Sequence, residues 1–186
     1  MSWMPKPKYS IKKQLPRINL NEKPPIDAIE LARADDPNCD NTTVVFFRQN
    51  QYLSVLISDK KPRPLKNGGE IFSSTQADYP LSMLAWFPDA LTEFQKPPAD
   101  GGMHPGGMTG HDEDVDGEML CIQRAMNAGP GVGGYAIINR SRKDHSVQME
   151  EFFRPQEVMF ADNFLYEGGL LDLFKDLGEK YRRGEI

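Results

Sequence analysis

Two six-residue runs, Thr42–Phe47 and Tyr52–Ile57, set the terms for the whole chain. Both are rich in β-branched and aromatic residues, which suit a pleated and largely buried strand. The four polar residues between them, Arg48–Gln51, are turn-compatible, so the pair predicts an antiparallel hairpin. Ile71-Phe72 predicts a short third strand. Ser73-Ser-Thr-Gln76 then has the hydroxyl-to-amide spacing of a helix capping box. Leu81, Leu84, Ala85, Leu91 and Phe94 follow at roughly helical spacing. Pro80 and Pro88 bend or divide that helix, because proline lacks the N–H and clashes with the preceding turn.

A degraded copy of this plan runs from Glu118 to Tyr181. Met119–Ile122 and Tyr135–Ile138 read as strands joined across the glycine-rich turn Gly129–Gly134. Phe152-Phe153 stands where Ile71-Phe72 stands in the first unit. The step from Ile57 to Ile71 is 14 residues, and that from Ile138 to Phe152 is also 14. Pro155 suits the first turn of a helix, where its missing N–H is not needed. Leu170, Leu173, Phe174, Leu177 and Tyr181 make one apolar helix face. Each unit also carries a basic loop. The first holds Lys60, Lys61, Arg63 and Lys66 against Asp59; the second holds Arg140, Arg142 and Lys143, followed by Asp144 and His145.

The expected fold is therefore α+β, with antiparallel sheets and a helix packed behind, as a duplicated strand-strand-strand-helix unit. The expected divisions are an extended basic arm at 1–25, a first half at 26–96, a Gly/Asp-rich flexible loop at 97–117 and a second half at 118–186. Ile26–Ala34 suits either a helix of about two turns or a further strand of the first sheet.

Charge is unevenly spread. The chain of 186 residues carries a net −5, yet residues 1–24 hold six cations against the single acid Glu22. That surplus of five leaves −10 on the remainder. A proline-rich basic arm on an acidic body suggests a polyanion partner or a self-association arm. Trp3 and Tyr9 sit among its lysines, a mixture that stacks on bases while cations meet phosphates. The arm itself is expected to be disordered or laid on a partner. No run approaches the ~18 apolar residues that span a bilayer, so no membrane partner is expected. Met1–Lys8 lacks an apolar secretory core. Cys39 and Cys121 show neither metal spacing nor a disulfide framework. The expected location is a reducing cytoplasm.

Catalytic signals are absent. No G-x-x-x-x-G-K-[ST], H-E-x-x-H or G-x-S-x-G occurs, and no enzyme and no cofactor are expected. Asp112–Gly117 matches the first half of a calcium loop, with oxygen ligands at alternate positions, but the twelfth position is Gln123. His104, His111, Asp112, Asp114 and Asp116 are the metal candidates, and a solvated acidic loop is the plain alternative.

The strands carry Phe46, Phe47, Tyr52 and Tyr135 beside Arg48, Arg124, Arg140 and Arg142. That composition suits single-stranded nucleic acid, whose bases stack on aromatics while cations track the backbone. Lys60, Lys61, Arg63, Arg140, Arg142 and Lys143 are the expected phosphate contacts. Arg48, Tyr52 and Tyr135 are the expected stacking face. The order of elements resembles the Whirly-like and PUR-type single-stranded nucleic-acid binders, which repeat several antiparallel strands followed by a helix. The resemblance covers residues 41–183 and lies in element order alone, so it carries over no site residues. It implies binding of single strands across the sheets. With the stacking composition, the expectation is a largely sequence-independent binder of single-stranded DNA or RNA, and a homo-oligomer is expected. The rival expectation is a structural or adaptor subunit whose arm grips a neighbour.

Overall fold

The computed structural model describes residues 7–102, 107–149 and 151–186. The founding hairpin forms as expected. β2 (Thr42–Gln49) pairs with β3 (Tyr52–Asp59) from Thr42↔Asp59 to Gln49↔Tyr52. Its two-residue turn puts Asn50 at φ 55°, a left-handed conformation that asparagine tolerates. β1 (Ala28–Asp35) settles the ambiguous segment as a strand, paired antiparallel to β2 through a bulge at Leu31. The basic loop after β3 folds back as a two-residue ribbon, β4 (Arg63–Pro64) on β5 (Glu70–Ile71), outside the main sheet.

The capping box is overturned. Residues Ser74–Pro80 form a strand, β6, that pairs with β3. Thr75, Ala77 and Tyr79 alternate with Ser74, Gln76 and Asp78, which is the two-residue period of a strand rather than a helix. The helix begins later, as α1 (Met83–Gln95), with Pro88 inside it. Each half thus places four strands in its main sheet, not three. In the second, β7 (Glu113–Val115), β8 (Glu118–Gly129), β9 (Val132–Lys143) and β10 (Pro155–Ala161) precede α2 (Asp162–Tyr166) and α3 (Leu170–Arg182). Pro155 opens a strand and not a helix. The last part of 97–117 is not free either: β7 joins the sheet, and Gly110 N–H donates to the carbonyl of Ile122 at 2.7 Å.

The two sheets run β1-β2-β3-β6 and β10-β9-β8-β7, all antiparallel. Both helix faces meet in one shared core. Val44, Phe46, Leu53 and Tyr79 of the first sheet join Leu120, Ile137, Val158 and Phe160 of the second, beneath Phe87 and Phe174. Phe174 lies 5.1 Å from Phe46, 4.7 Å from Phe87 and 6.0 Å from Phe160, so a single ring touches both halves. α1 and α3 approach closely at Gly178, where a Cβ would come within 2.7 Å of the Leu84 carbonyl. Leu84 lies four residues before Pro88, which lacks the N–H that ordinarily occupies that carbonyl. No helix among the described residues is long and apolar enough to cross a membrane.

Phe174→Ala removes the ring shared by both halves and is expected to cost about 3–5 kcal/mol. Urea unfolding monitored by circular dichroism should show one transition at a lower midpoint. Two separated transitions would mean that the halves do not share their core.

Candidate functional site

The outer face of the first sheet, opposite the helices, is covered by the N-terminal arm of the same chain. For its described residues, 7–25, this corrects the expectation of a disordered arm or one laid on a partner; Trp3 lies outside the described residues. Ile18 is 3% exposed and packs on Val45, Phe47 and Leu56. A buried segment outside any ladder needs other hydrogen-bonding groups, and glutamine side chains supply them here. Gln76 donates to the Pro16 carbonyl at 3.1 Å and accepts from Ile18 N–H at 2.8 Å. Gln49 adds a longer bond to the same carbonyl, at 3.4 Å. Upstream, the arm crosses to the second sheet. Lys12 N–H donates to the Ser141 carbonyl at 2.7 Å. Gln14 donates to the carbonyls of Lys143, at 2.7 Å, and Asp144, at 3.2 Å. Arg17 donates to the Ser74 carbonyl at 3.2 Å.

Lys12 therefore meets the base of the second basic loop, and Arg17 meets the strand end where the first loop returns. Five residues span at most ~18 Å, so the backbone of Lys12 and that of Arg17 lie within that distance, and the Arg17 side chain reaches on to the first loop's return. Sequence reasoning noticed the arm's charge but not its path. Gln49 and Gln76 do not stand out in the sequence, because Ser54, Ser58, Ser74 and Asp78 make the same face polar elsewhere.

Most of the expected phosphate contacts are engaged within the molecule. Lys60 pairs with Asp35 at 3.2 Å, Arg63 with Asp59 and Arg140 with Asp112. Lys143 donates to the Met149 carbonyl and Arg48 to the Asn50 carbonyl. Lys61 is exposed and forms no salt bridge among the described residues; the same holds for Lys12, Lys13, Arg17 and Lys66.

Arg142 must be withdrawn from the contact set. It is 2% exposed and forms a two-pronged bond with Glu118, itself buried. Its guanidinium lies 4.7 Å from the Tyr52 ring centroid, and it donates to the Lys13 carbonyl. Three residues of β9, Arg140–Arg142, stand opposite no residue of β10. This bulge re-aims Arg142 into the interior.

The stacking face changes as well. Phe46 and Phe47 are buried. Tyr52 is half-buried under Arg142. Tyr135 is 8% exposed, with Arg124 over its ring at 4.7 Å, the edge of Phe94 at 5.7 Å, and a hydroxyl that accepts from Gln95 at 3.1 Å. Two aromatics near the basic loops keep open area: Phe152, at 41% exposure, and the half-buried Phe72. They sit in the matching loops ahead of the last strand of each half.

The acidic segment is a hairpin turn. Asp116 and Gly117 have φ of 49° and 81° between β7 and β8, Asp114 accepts from Gly117 N–H at 2.7 Å, and Asp116 accepts from the Ser82 hydroxyl. Asp112 accepts from Arg140, Lys8 and the Tyr9 hydroxyl. Among the described residues no group of three or more His, Cys, Asp or Glu is placed to hold a metal ion. His111 is exposed, and His104 lies outside the described residues.

Beneath the arm, a polar seam joins the halves. Asp78 is fully buried. It accepts from Ser54 and Gln76, each at 2.7 Å, and lies 2.8 Å from His145 Nε2. Its N–H donates to Gln156 Oε1 at 2.7 Å, and its carbonyl accepts from Asn139 at 2.8 Å. Burial pushes the Asp78 carboxyl up, but the bonds from His145, Gln76 and Ser54 together hold it below the usual range. The Asp78 side chain is fully buried and that of His145 nearly so.

Comparison with protein-family models, with curated proteins and with solved structures finds no match for this chain.

Two expectations follow from the buried pairs. Arg142→Gln leaves Glu118 without its cation and should cost about 3–5 kcal/mol, while Arg142→Met with Glu118→Gln should recover part of that loss in thermal melts. The folded-state pKa of Asp78 lies below its unfolded value of about 3.9. Its contribution is therefore complete above that pH and lost as pH falls through the folded value. Urea midpoints between pH 7 and pH 2 should fall more steeply in the parent than in Asp78→Asn.

Proposed function

We propose that this protein binds single-stranded nucleic acid, DNA or RNA, with little regard to sequence. The contact surface in this reading is a cationic strip rather than the sheet aromatics. The observation that carries it is the path of the arm: Lys12, Lys13 and Arg17 run between the base of the second basic loop, at Lys143, and the returning end of the first, with Lys61 and Lys66. These cations are free of carboxylate partners among the described residues, so a polyanion meets them without first breaking an ion pair. Phe72 and Phe152 lie in the matching loops that precede β6 and β10 and are the candidate base-stacking faces. The acidic remainder of the body repels phosphate elsewhere and confines the strand to the strip.

The adaptor reading drew on an arm free to grip a neighbour, a glycine-rich loop and the lack of a catalytic frame. The described residues of the arm pack on their own chain instead, which removes the first of these supports. Assembly as a homo-oligomer would place several strips on one strand, and sedimentation of the free and bound protein counts the copies.

Retardation of labelled single-stranded DNA, single-stranded RNA and duplex DNA across a salt series is the test. The single strands should bind more tightly than duplex. Lys61→Ala with Lys66→Ala should lower the magnitude of the log–log salt slope by about 1.4, since each phosphate contact on a single strand contributes about 0.7. Lys12→Glu with Lys13→Glu should weaken binding about tenfold or more at an unchanged thermal midpoint. Equal affinity in both double variants removes the strip, and the absence of salt-sensitive binding in the parent removes the function.

A further inference from the structure

α1 buries Met83, Leu84, Phe87 and Leu91, and turns an adjoining face outward. Trp86, Ala90 and Phe94 lie along that face at successive i, i+4 positions. Opposite them runs the chain that enters the second sheet, with Gly110, His111 and Glu113, and Ile122 of β8 behind. The groove between is about 380 Å³. Gly110 keeps it open: a Cβ there would sit 3.3 Å from both the Phe94 ring and the Ile122 carbonyl.

The groove is aromatic and negative. The charged side chains that line it are Asp89, Glu93 and Glu113, with no lysine or arginine among the lining residues. Asp89 is held by Arg182 at 2.8 Å, and Glu93 by Lys96 at 2.6 Å. Glu113 has no cationic partner among the described residues. It accepts the indole N–H of Trp86 at 2.8 Å, which anchors the carboxylate at the edge of the ring and leaves the ring faces free of it. A cation above that face is attracted by the ring quadrupole and by the carboxylate at once.

The type of cation follows from what the walls lack. A primary ammonium brings three N–H donors that need acceptors. The apolar walls, Phe94, Ala90 and Ile122, supply no side-chain acceptor; the acceptors in the lining are carboxylates, of which Asp89 and Glu93 already hold cations and Glu113 holds the indole N–H, so a primary ammonium would have its donors met only in part. A quaternary ammonium has no donors to satisfy and presents methyl groups to apolar walls. We infer that the groove between α1 and the start of the second sheet binds a small quaternary ammonium solute of the choline type. In this assignment Trp86 and Phe94 form the aromatic walls and Glu113 is the counter-ion. The site is independent of the nucleic-acid reading, which calls for the opposite charge.

The test uses the full chain carrying Trp3→Phe, which leaves Trp86 as its single tryptophan and fluorescent reporter. Choline should change the emission saturably, while its uncharged carbon isostere, 3,3-dimethyl-1-butanol, should not. Glu113→Gln keeps an acceptor for the indole N–H but removes the charge, and should weaken choline binding about tenfold or more, equivalent to about 1.4 kcal/mol. Glu93→Gln, whose carboxylate is already paired, should change it little. An equal response to the isostere, or no saturable response to choline, overturns the proposal whatever the variants do. Unchanged choline affinity in a folded Glu113→Gln protein overturns the assignment of the counter-ion.

Discussion

One buried guanidinium holds three parts of this molecule together. Arg142 comes from the second sheet, stacks on Tyr52 of the first, and donates to the carbonyl of Lys13 in the arm. Taking such a charge out of water costs several kcal/mol, and attraction in the interior offsets that only with good geometry and further bonds. Glu118 supplies the geometry, because a planar guanidinium meets a carboxylate through two parallel N–H bonds. Asn139 then takes up remaining capacity on Glu118 by donating to it at 2.7 Å. The node is satisfied only when both halves and the arm are in place, so it specifies their arrangement as well as contributing to it.

The seam around that node has two sides of different character. On the helix side it is apolar, with Phe174 reaching rings from both sheets. On the arm side it is polar, running through Ser54, Gln76, Asp78, His145 and Gln156. Apolar contacts tolerate sliding, whereas a buried polar network has one satisfied arrangement. The apolar side therefore supplies most of the driving force, and the polar side fixes the register of one sheet against the other.

The features legible in the sequence were those with local causes. The β2–β3 hairpin followed from two β-prone runs and a polar turn, and α3 from an unbroken apolar face. The equal spacings misplaced the third strands: Ile71 lies in the small β4–β5 ribbon and Phe152-Phe153 in a loop, while β6 and β10 follow them. Errors arose where one local signal masked another. Ser73–Gln76 satisfies the spacing of a cap, yet the alternation that continues to Tyr79 is a strand's, and Gln76 is used to hold the arm. Pro155 fits a helix start and equally the first residue of an edge strand. Arg140 and Arg142 look like one exposed pair, but a bulge sends Arg142 inward, and no spacing rule reveals a bulge. The arm's path depends on partners about 60 to 130 residues away, such as Gln76 for Ile18 and Arg142 for Lys13, and contacts that distant leave no mark on local pattern.

β6 and β10, the last strands of the two sheets, come together at the seam through side chains, with no backbone ladder between them among the described residues. Each therefore shields an edge of the other that would otherwise be open to pairing with a foreign strand. A fragment carrying either half alone loses that shield along with half of its core. The junction between the halves thus does, within one polypeptide, what a subunit interface does in an obligate dimer. Separated halves should self-associate through their bared edges instead of persisting as two smaller folded proteins.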